Sequence, residues 1–335
     1  MPAMGLGTGG YGNSGPDEYK YPECWSDGEP GPDGIKFFNC TDMVVKATMD
    51  WLKAGGRRID NADSYYNMRA IGSAMANSNV PRNEIFLTSK IGSSLPMGYN
   101  DTIYQVGASL AQYNTDYIDL VLIHWPTSPA KSTEPQCQKL NAAYDAKACR
   151  LSTWKALVEM WKAKKIKAIG VSNWNIDQLQ EFIDAKVDLP SVNQCPFHSH
   201  LYSAQKDLVD FCSKHNILFN SYSPLGIPDF RTFPSAISTT GVLIEEPVLK
   251  TIGAAHNLTP AQVLLAWEWS YGMVANPRTM NVTHMNENLA SAVFTTKFTD
   301  DEMRQLEGFK PDECSVTNHF YECCGPSSLT IPKCH

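Results

Sequence analysis

The feature that most constrains this chain is a repeated alternation of short apolar runs with longer amphipathic segments. Ile85 to Ser89, Ile118 to Ile123, Ala168 to Ser172, Ser191 to Gln194, Leu218 to Ser221 and Met273 to Asn276 read as strands. Between them, Thr102 to Tyr113, Thr153 to Lys164, Ile176 to Ala185, Gln205 to His215 and Pro260 to Ser270 carry apolar residues at helical spacing. Strictly alternating units imply a parallel sheet. A closed barrel and an open doubly wound sheet satisfy this pattern equally.

A chain of 335 residues with 43% hydrophobic content is long enough to bury one large core. Its net charge of −7, with scattered lysines, offers no basic stripe for a nucleic acid. No apolar run approaches the roughly 20 residues that a membrane-spanning helix needs.

Chemistry-bearing residues follow three successive apolar runs. They lie in Arg57-Arg58-Ile59-Asp60-Asn61-Ala62-Asp63-Ser64-Tyr65, then Thr88-Ser89-Lys90, then Leu122-Ile123-His124-Trp125-Pro126. An acid, a phenol, an amine and an imidazole are what carbonyl reduction requires. A carbonyl that accepts hydride builds negative charge on oxygen, so the site must supply a proton and a polarising donor there. A free phenol titrates near 10, and an adjacent ammonium such as Lys90 is expected to lower that value for Tyr65. A buried lysine stays charged only beside a carboxylate, which Asp60 supplies; His124 would orient the carbonyl.

Several ordered motifs resemble those of the aldo-keto reductases. They are Met4-Gly5-Leu6-Gly7-Thr8, the segment Ile59 to Asn67, Leu87 to Lys90, Tyr117 to Pro126, Lys165 to Trp174, Val192 to Gln194, Asn220 to Gly226 and Asn276 to Leu289. The resemblance runs to about Gly308 and implies a single (β/α)8 TIM barrel over 1–335, with the active site at the C-terminal ends of its strands. It implies a catalytic set of Asp60, Tyr65, Lys90 and His124, with Tyr65, His124 and Trp125 facing a small carbonyl substrate.

The same resemblance implies an extended nicotinamide cofactor. Ser172, Asn173 and Gln194 match residues that bond the carboxamide, and Tyr222 matches the aromatic that stacks on the ring. Gly7, Thr8, Asp60, Ser223 and Leu225 complete that end. Arg278, Thr279, Asn281, His284, Glu287 and Asn288 match the adenosine end, where Arg278 replaces a commoner lysine and suits a phosphate. His284 stands where many members carry an arginine beside the 2′-phosphate, so NADPH is the first expectation and NADH stays open. No metal is expected. Gly5-Leu6-Gly7-Thr8-Gly9-Gly10 also fits a dinucleotide fingerprint, but Tyr11-Gly12-Asn13-Ser14-Gly15-Pro16 does not open a helix, so a tight turn leaving the first barrel strand is the better reading.

The departures from the family pattern gather in loops. Insertions are expected at about 12–40 and 127–151, and a tail at about 309–335. Gly9 stands where members often have a tryptophan, leaving Trp125 as the retained wall and Trp25 or Phe38 as candidate replacements. Pro196, Phe197, His198 and Ser199 depart from the usual pattern after Gln194.

Of 10 cysteines, Cys195 and Cys212 fall in barrel elements. The others group in the extra loops: Cys24 with Cys40, Cys137 with Cys149, and Cys314, Cys323, Cys324 and Cys334. That placement favours disulfides over free thiols or a zinc site. Asn39, Asn100, Asn257 and Asn281 head glycosylation sequons. Met1 aligns after the hairpin that usually plugs the barrel floor, so either the hairpin is absent or the sequence starts after a segment that includes a targeting signal. A secretory setting is slightly favoured over the cytoplasm. The competing function class is an idle barrel that serves as a scaffold or binds nucleotide, with the Cys-rich loops contacting a protein partner or a second copy.

Overall fold

The computed structural model describes residues 1–9, 41–93, 95–226 and 243–308. Eight strands form one sheet: β1 (Gly5–Gly7), β2 (Arg58–Asp60), β3 (Phe86–Ile91), β4 (Ile118–Ile123), β5 (Ile166–Ser172), β6 (Val192–Pro196), β7 (Leu218–Tyr222) and β8 (Val274–Asn276). Each pairs in parallel with its successor. A bridge between Met4 and Ala275, with the Gly7 amide donating to Pro277 O at 3.0 Å, brings β8 back against β1. The sheet therefore closes as a (β/α)8 barrel, and the open-sheet alternative falls: a doubly wound sheet reverses its strand order, whereas this one runs in sequence and returns to its start.

The helices between the strands are α1 (Thr41–Lys53), α2 (Met68–Asn77), α3 (Tyr99–Tyr113), α4 (Ala146–Lys162), α5 (Ile176–Asp184), α6 (Tyr202–Lys214), α7 (Pro247–His256) and α8 (Pro260–Ser270). After β8 come α9 (Val282–Leu289), α10 (Ser291–Thr295) and α11 (Asp300–Glu307). Three of these starts are locked by reciprocal capping. Asn175 with Gln178, Thr259 with Gln262, and Thr299 with Glu302 each satisfy two otherwise orphaned amides. Among the described residues no helix is long and apolar enough to cross a membrane.

One expectation needs correction. The 127–151 region is not all loop, because Asp145 accepts a hydrogen bond from the Ala148 amide at 3.0 Å and starts α4 at Ala146, seven residues before the apolar spacing begins at Thr153. Cys149 lies in that first turn and forms a disulfide with Cys137. Cys24, Cys40, Trp25, Phe38 and the four tail cysteines lie outside the described residues.

The register fixes what faces the barrel axis. Lys90 pairs with Leu122, so both side chains point the same way, and Leu120 and Leu122 cluster with Val192, Phe86, Ala168 and Leu218. This inner layer fills the barrel below the strand ends. The larger core lies outside the strands under the helices, and includes Trp154 and Trp174 packed against Phe182.

Close approach demands glycine at position 72. A Cβ there would sit 2.6 Å from the Tyr113 carbonyl oxygen, a backbone atom, and Tyr113 ends the helix that braces β2 and β3 from outside. Gly72→Ala is expected to destabilise the protein by about 1–3 kcal/mol, the usual cost of overpacking, seen as a fall in the midpoint of urea unfolding without change of slope.

Candidate active site

The site begins at the end of β2. Asp60 pairs with Thr88, which shares the inner face of β3 with Lys90, so Asp60 faces inward and Lys90 enters two residues further along β3. The Lys90 ammonium donates to Asp60 Oδ1, to Asn61 O at 3.0 Å and to the Tyr65 hydroxyl at 3.4 Å. Asp60 Oδ2 accepts from Gln194 Nε2 at 2.6 Å. Lys90 is 1% exposed and Asp60 is 4% exposed, so the ion pair is removed from water.

Tyr65 reaches Lys90 because the chain after β2 folds into a short 3-10 turn, Asp63–Tyr65, instead of entering a helix directly. The left-handed Tyr66 then redirects it toward α2. His124 follows β4, and its ring meets the edge of Tyr65 at 5.8 Å between centroids. Its Nδ1 faces the Ser64 hydroxyl at 3.4 Å. Trp125 stacks on the imidazole, with ring centroids 6.0 Å apart. All four residues expected to act together are brought together.

Burial works to discharge Lys90, but the combined attraction of Asp60 and Tyr65 outweighs it and holds the ammonium above its ordinary range. Tyr65 departs from the expectation. Burial lifts the phenol above its usual value, and the opposing pull of Lys90 only moderates the rise, since desolvation penalises the phenolate more than one ammonium rewards it. Burial, reinforced by Lys90, pushes His124 well below the histidine range, so its ring is neutral at physiological pH.

Around this centre the polar side chains expected to meet a flat amide-bearing ring lie at adjacent strand ends. Ser172 Oγ donates to Gln194 O at 2.8 Å, Asn173 Nδ2 to His124 O at 2.9 Å, and the Tyr222 hydroxyl to Asn173 Oδ1 at 2.8 Å. Ser223 and Leu225 continue the chain after β7, with Ser223 at positive φ. Beyond β8, Arg278 Nη1 donates to Gly9 O at 2.9 Å. Asn281 caps α9 through the Thr283 amide, His284 Nδ1 lies 3.5 Å from Thr279 Oγ1, and Asn288 is buried on the same helix as Glu287. A hydroxyl, two amides and an aromatic at one end, and a guanidinium with five donors at the other, fit the carboxamide and phosphate ends of a nicotinamide dinucleotide. Among the described residues no group of acids, histidines and cysteines could hold a metal.

Gly9 has a steric role. A Cβ there would meet Tyr65 Cζ at 2.9 Å, so the phenol rests against the backbone of the residue that replaces the usual tryptophan. Several supporting residues escaped the sequence reading. Asn61 accepts from Thr8 Oγ1 and donates to the Tyr113 hydroxyl, and Asn67 Nδ2 donates to Thr8 O at 3.1 Å, tying β1 to the catalytic turn. Asp63, buried in the same turn, was also passed over. All three sit inside the Ile59 to Asn67 motif; polar residues gathered so closely just after a short apolar run were the available signal. Past Gln194, Phe197 is buried and stacks on Trp267 at 5.3 Å, while His198 is pushed down to about 3 by burial and by His200.

The Aldo/keto reductase family model matches residues 39–310. A 9,11-endoperoxide prostaglandin H2 reductase of Trypanosoma cruzi is 34% identical over 262 residues, which cover 78% of this chain and 81% of that protein. The glyoxal reductase of Bacillus subtilis is 33% identical over 263 residues, covering 78% and 82%. Among solved structures, an aldo-keto reductase crystallised with NADPH superposes with a TM-score of 0.75 at 25% identity, over 100% of this chain and 92% of that one.

Removing one member of the buried ion pair leaves the other uncompensated. Lys90→Met is expected to cost about 3–5 kcal/mol in urea unfolding, and adding Asp60→Asn to it to restore most of that loss.

Proposed function

Because this chain belongs to the aldo/keto reductase family and is thereby an oxidoreductase, we propose that it reduces an aldehyde or ketone to the alcohol with NADPH, Tyr65 supplying the proton. The observation that carries this reading is Lys90, buried between the Asp60 carboxylate and the Tyr65 hydroxyl.

Bound NADPH supplies the hydride. The Tyr65 hydroxyl donates its proton to the carbonyl oxygen as charge builds there. The phenolate left behind is stabilised by Lys90, which Asp60 keeps charged. Because burial keeps the phenol protonated, the acid is loaded across the neutral range and releases its proton only to a developing oxyanion. When Ser64 donates to Nδ1, neutral His124 retains its proton on Nε2 and presents it to the same oxygen. Ser172, Asn173 and Gln194 hold the carboxamide and Tyr222 the ring. Arg278, with Thr279, Asn281, His284, Glu287 and Asn288, holds the adenosine end. Trp125 forms the substrate wall, widened by the glycine at position 9. The Cys137–Cys149 disulfide favours an oxidising, secretory compartment for this activity.

NADPH oxidation with a panel of small aldehydes and ketones tests the reading. Tyr65→Phe should lower kcat by about 100-fold or more, the scale of a lost general acid. Arg278→Met should raise the KM for NADPH by roughly 10-fold or more and leave that for NADH nearly unchanged, since a charged hydrogen bond to phosphate contributes about 1.5–3 kcal/mol. Cofactor binding without turnover of any carbonyl would overturn the proposal.

A further inference from the structure

Asp63 is the one ionisable residue of the catalytic turn that the proposed mechanism leaves unused. It opens the turn that carries Tyr65 and is 5% exposed. Its Oδ1 accepts from the Ser64 amide at 2.6 Å. Its Oδ2 is buried with no hydrogen-bond partner among the described residues. A buried carboxylate with a bare oxygen is costly, whereas the acid form with its proton on that oxygen carries no charge.

The groups around it explain why no cation satisfies it. Lys90 on β3 is the nearby positive charge, but its ammonium is already given to Asp60 on β2, to Asn61 O and to Tyr65. Lys90 therefore acts on Asp63 only through space. Tyr113 on α3 is a neutral phenol bonded to Asn61 and Ser89, and burial pushes it far up. The Gly92 amide, which donates to Gln105 Oε1 at 3.1 Å, and the Ser64 amide both favour the ionised form of Asp63. Burial outweighs these three pulls and holds the carboxyl at about 7. His124, just after β4 and the residue that would ordinarily be held responsible for a charge change near neutrality, is kept neutral by burial and by Lys90.

We propose that Asp63 is a second proton-holding group of this site, a positioning residue that touches neither substrate nor cofactor and sets the charge felt by the Lys90–Tyr65 pair. The inference rests on the reductase reading. Protonated, Asp63 leaves one carboxylate, Asp60, balancing one ammonium. Ionised, with its proton released to solvent, it adds a negative charge that opposes formation of the Tyr65 phenolate. Carbonyl reduction therefore slows as pH rises through about 7. The same ionisation bears on folding. A carboxyl whose folded value lies above its unfolded 3.8 contributes stability that is fully present below 3.8 and lost as pH rises through about 7.

Two measurements test this. In the first, kcat/KM for carbonyl reduction is followed against pH for the native protein, for Asp63→Asn and for Asp63→Ser. The native profile should fall by about threefold through pH 7, because a second negative charge penalises the developing Tyr65 phenolate, and both variants should lack that fall. A fall that persists in either folded variant would overturn the proposal. In the second, the native cofactor-free protein with 13C-labelled aspartate is titrated by NMR, the Asp63 carboxyl being assigned through the Ser64 amide. A midpoint near 7 supports the proposal, and one near the ordinary value of 3.8 refutes it. Absence of turnover on every carbonyl would sink the reductase reading, while the carboxyl midpoint would still decide the ionisation of Asp63.

Discussion

The buried pair of Asp60 and Lys90 is the constraint around which the rest of this structure is arranged. Withdrawing two charges from water costs several kcal/mol each, and their attraction offsets that cost only where the remaining hydrogen-bonding capacity is also satisfied. Here it is: Gln194 from β6 takes the second carboxylate oxygen, Asn61 O and the Tyr65 hydroxyl take the ammonium, and Asn61 itself is held by Thr8 and Tyr113. Strands β1, β2, β3 and β6 are thus tied through one polar knot at the barrel mouth, above an inner layer of Leu120, Leu122 and Val192 that admits little water. The arrangement leaves the protein no cheap way to discharge either partner, and it fixes where a phenol can find a cation.

The rest of the electrostatics follows from that placement. The ammonium is committed to Asp60, so it moderates the rise of Tyr65 without reversing it, and it repels a proton from His124. One cation shared among two carboxyls and a phenol leaves one acid unpaired. That acid is Asp63, which lies on the short turn and not on a strand end, and so does not reach the ammonium. Neutral His124, loaded Tyr65 and a carboxyl balanced near neutrality are three consequences of burial, which the Lys90 charge reinforces at His124 and opposes at Tyr65 and Asp63.

How much of this was legible in the sequence depended on the length scale of each feature. The four residues of the centre were readable because each follows an apolar run, and a strand end in such a barrel points its side chain at the mouth. The strands β1 and β2 are only three residues long, too short for a period-two signal, and were placed by their neighbours in the motif. The start of α4 was missed because its first turn carries polar and cysteine residues, and its cap, Asp145, declares itself only through the bond to Ala148. The ionisation of Asp63 was invisible for a different reason. It comes from what the turn withholds, a partner for Oδ2, and residue types in a line do not encode a missing contact. The direction of Tyr65 failed likewise, because sequence names the neighbouring cation but not the depth of burial that competes with it.

The glycine at position 9 connects the two ends of the site. Its lack of a side chain lets the Tyr65 ring lie against the backbone, and its carbonyl receives the guanidinium of Arg278, 269 positions away in sequence. A residue with a Cβ would push the phenol off Lys90, to which its hydroxyl already stands at 3.4 Å, near the limit of a hydrogen bond. A bulkier residue at position 9 would therefore act on the acid first and on the substrate wall second. The seam between β1 and β8 is accordingly where the proton donor and the strap beyond β8 share a support: the residue that spaces the phenol from the lysine is the one that holds Arg278 in place.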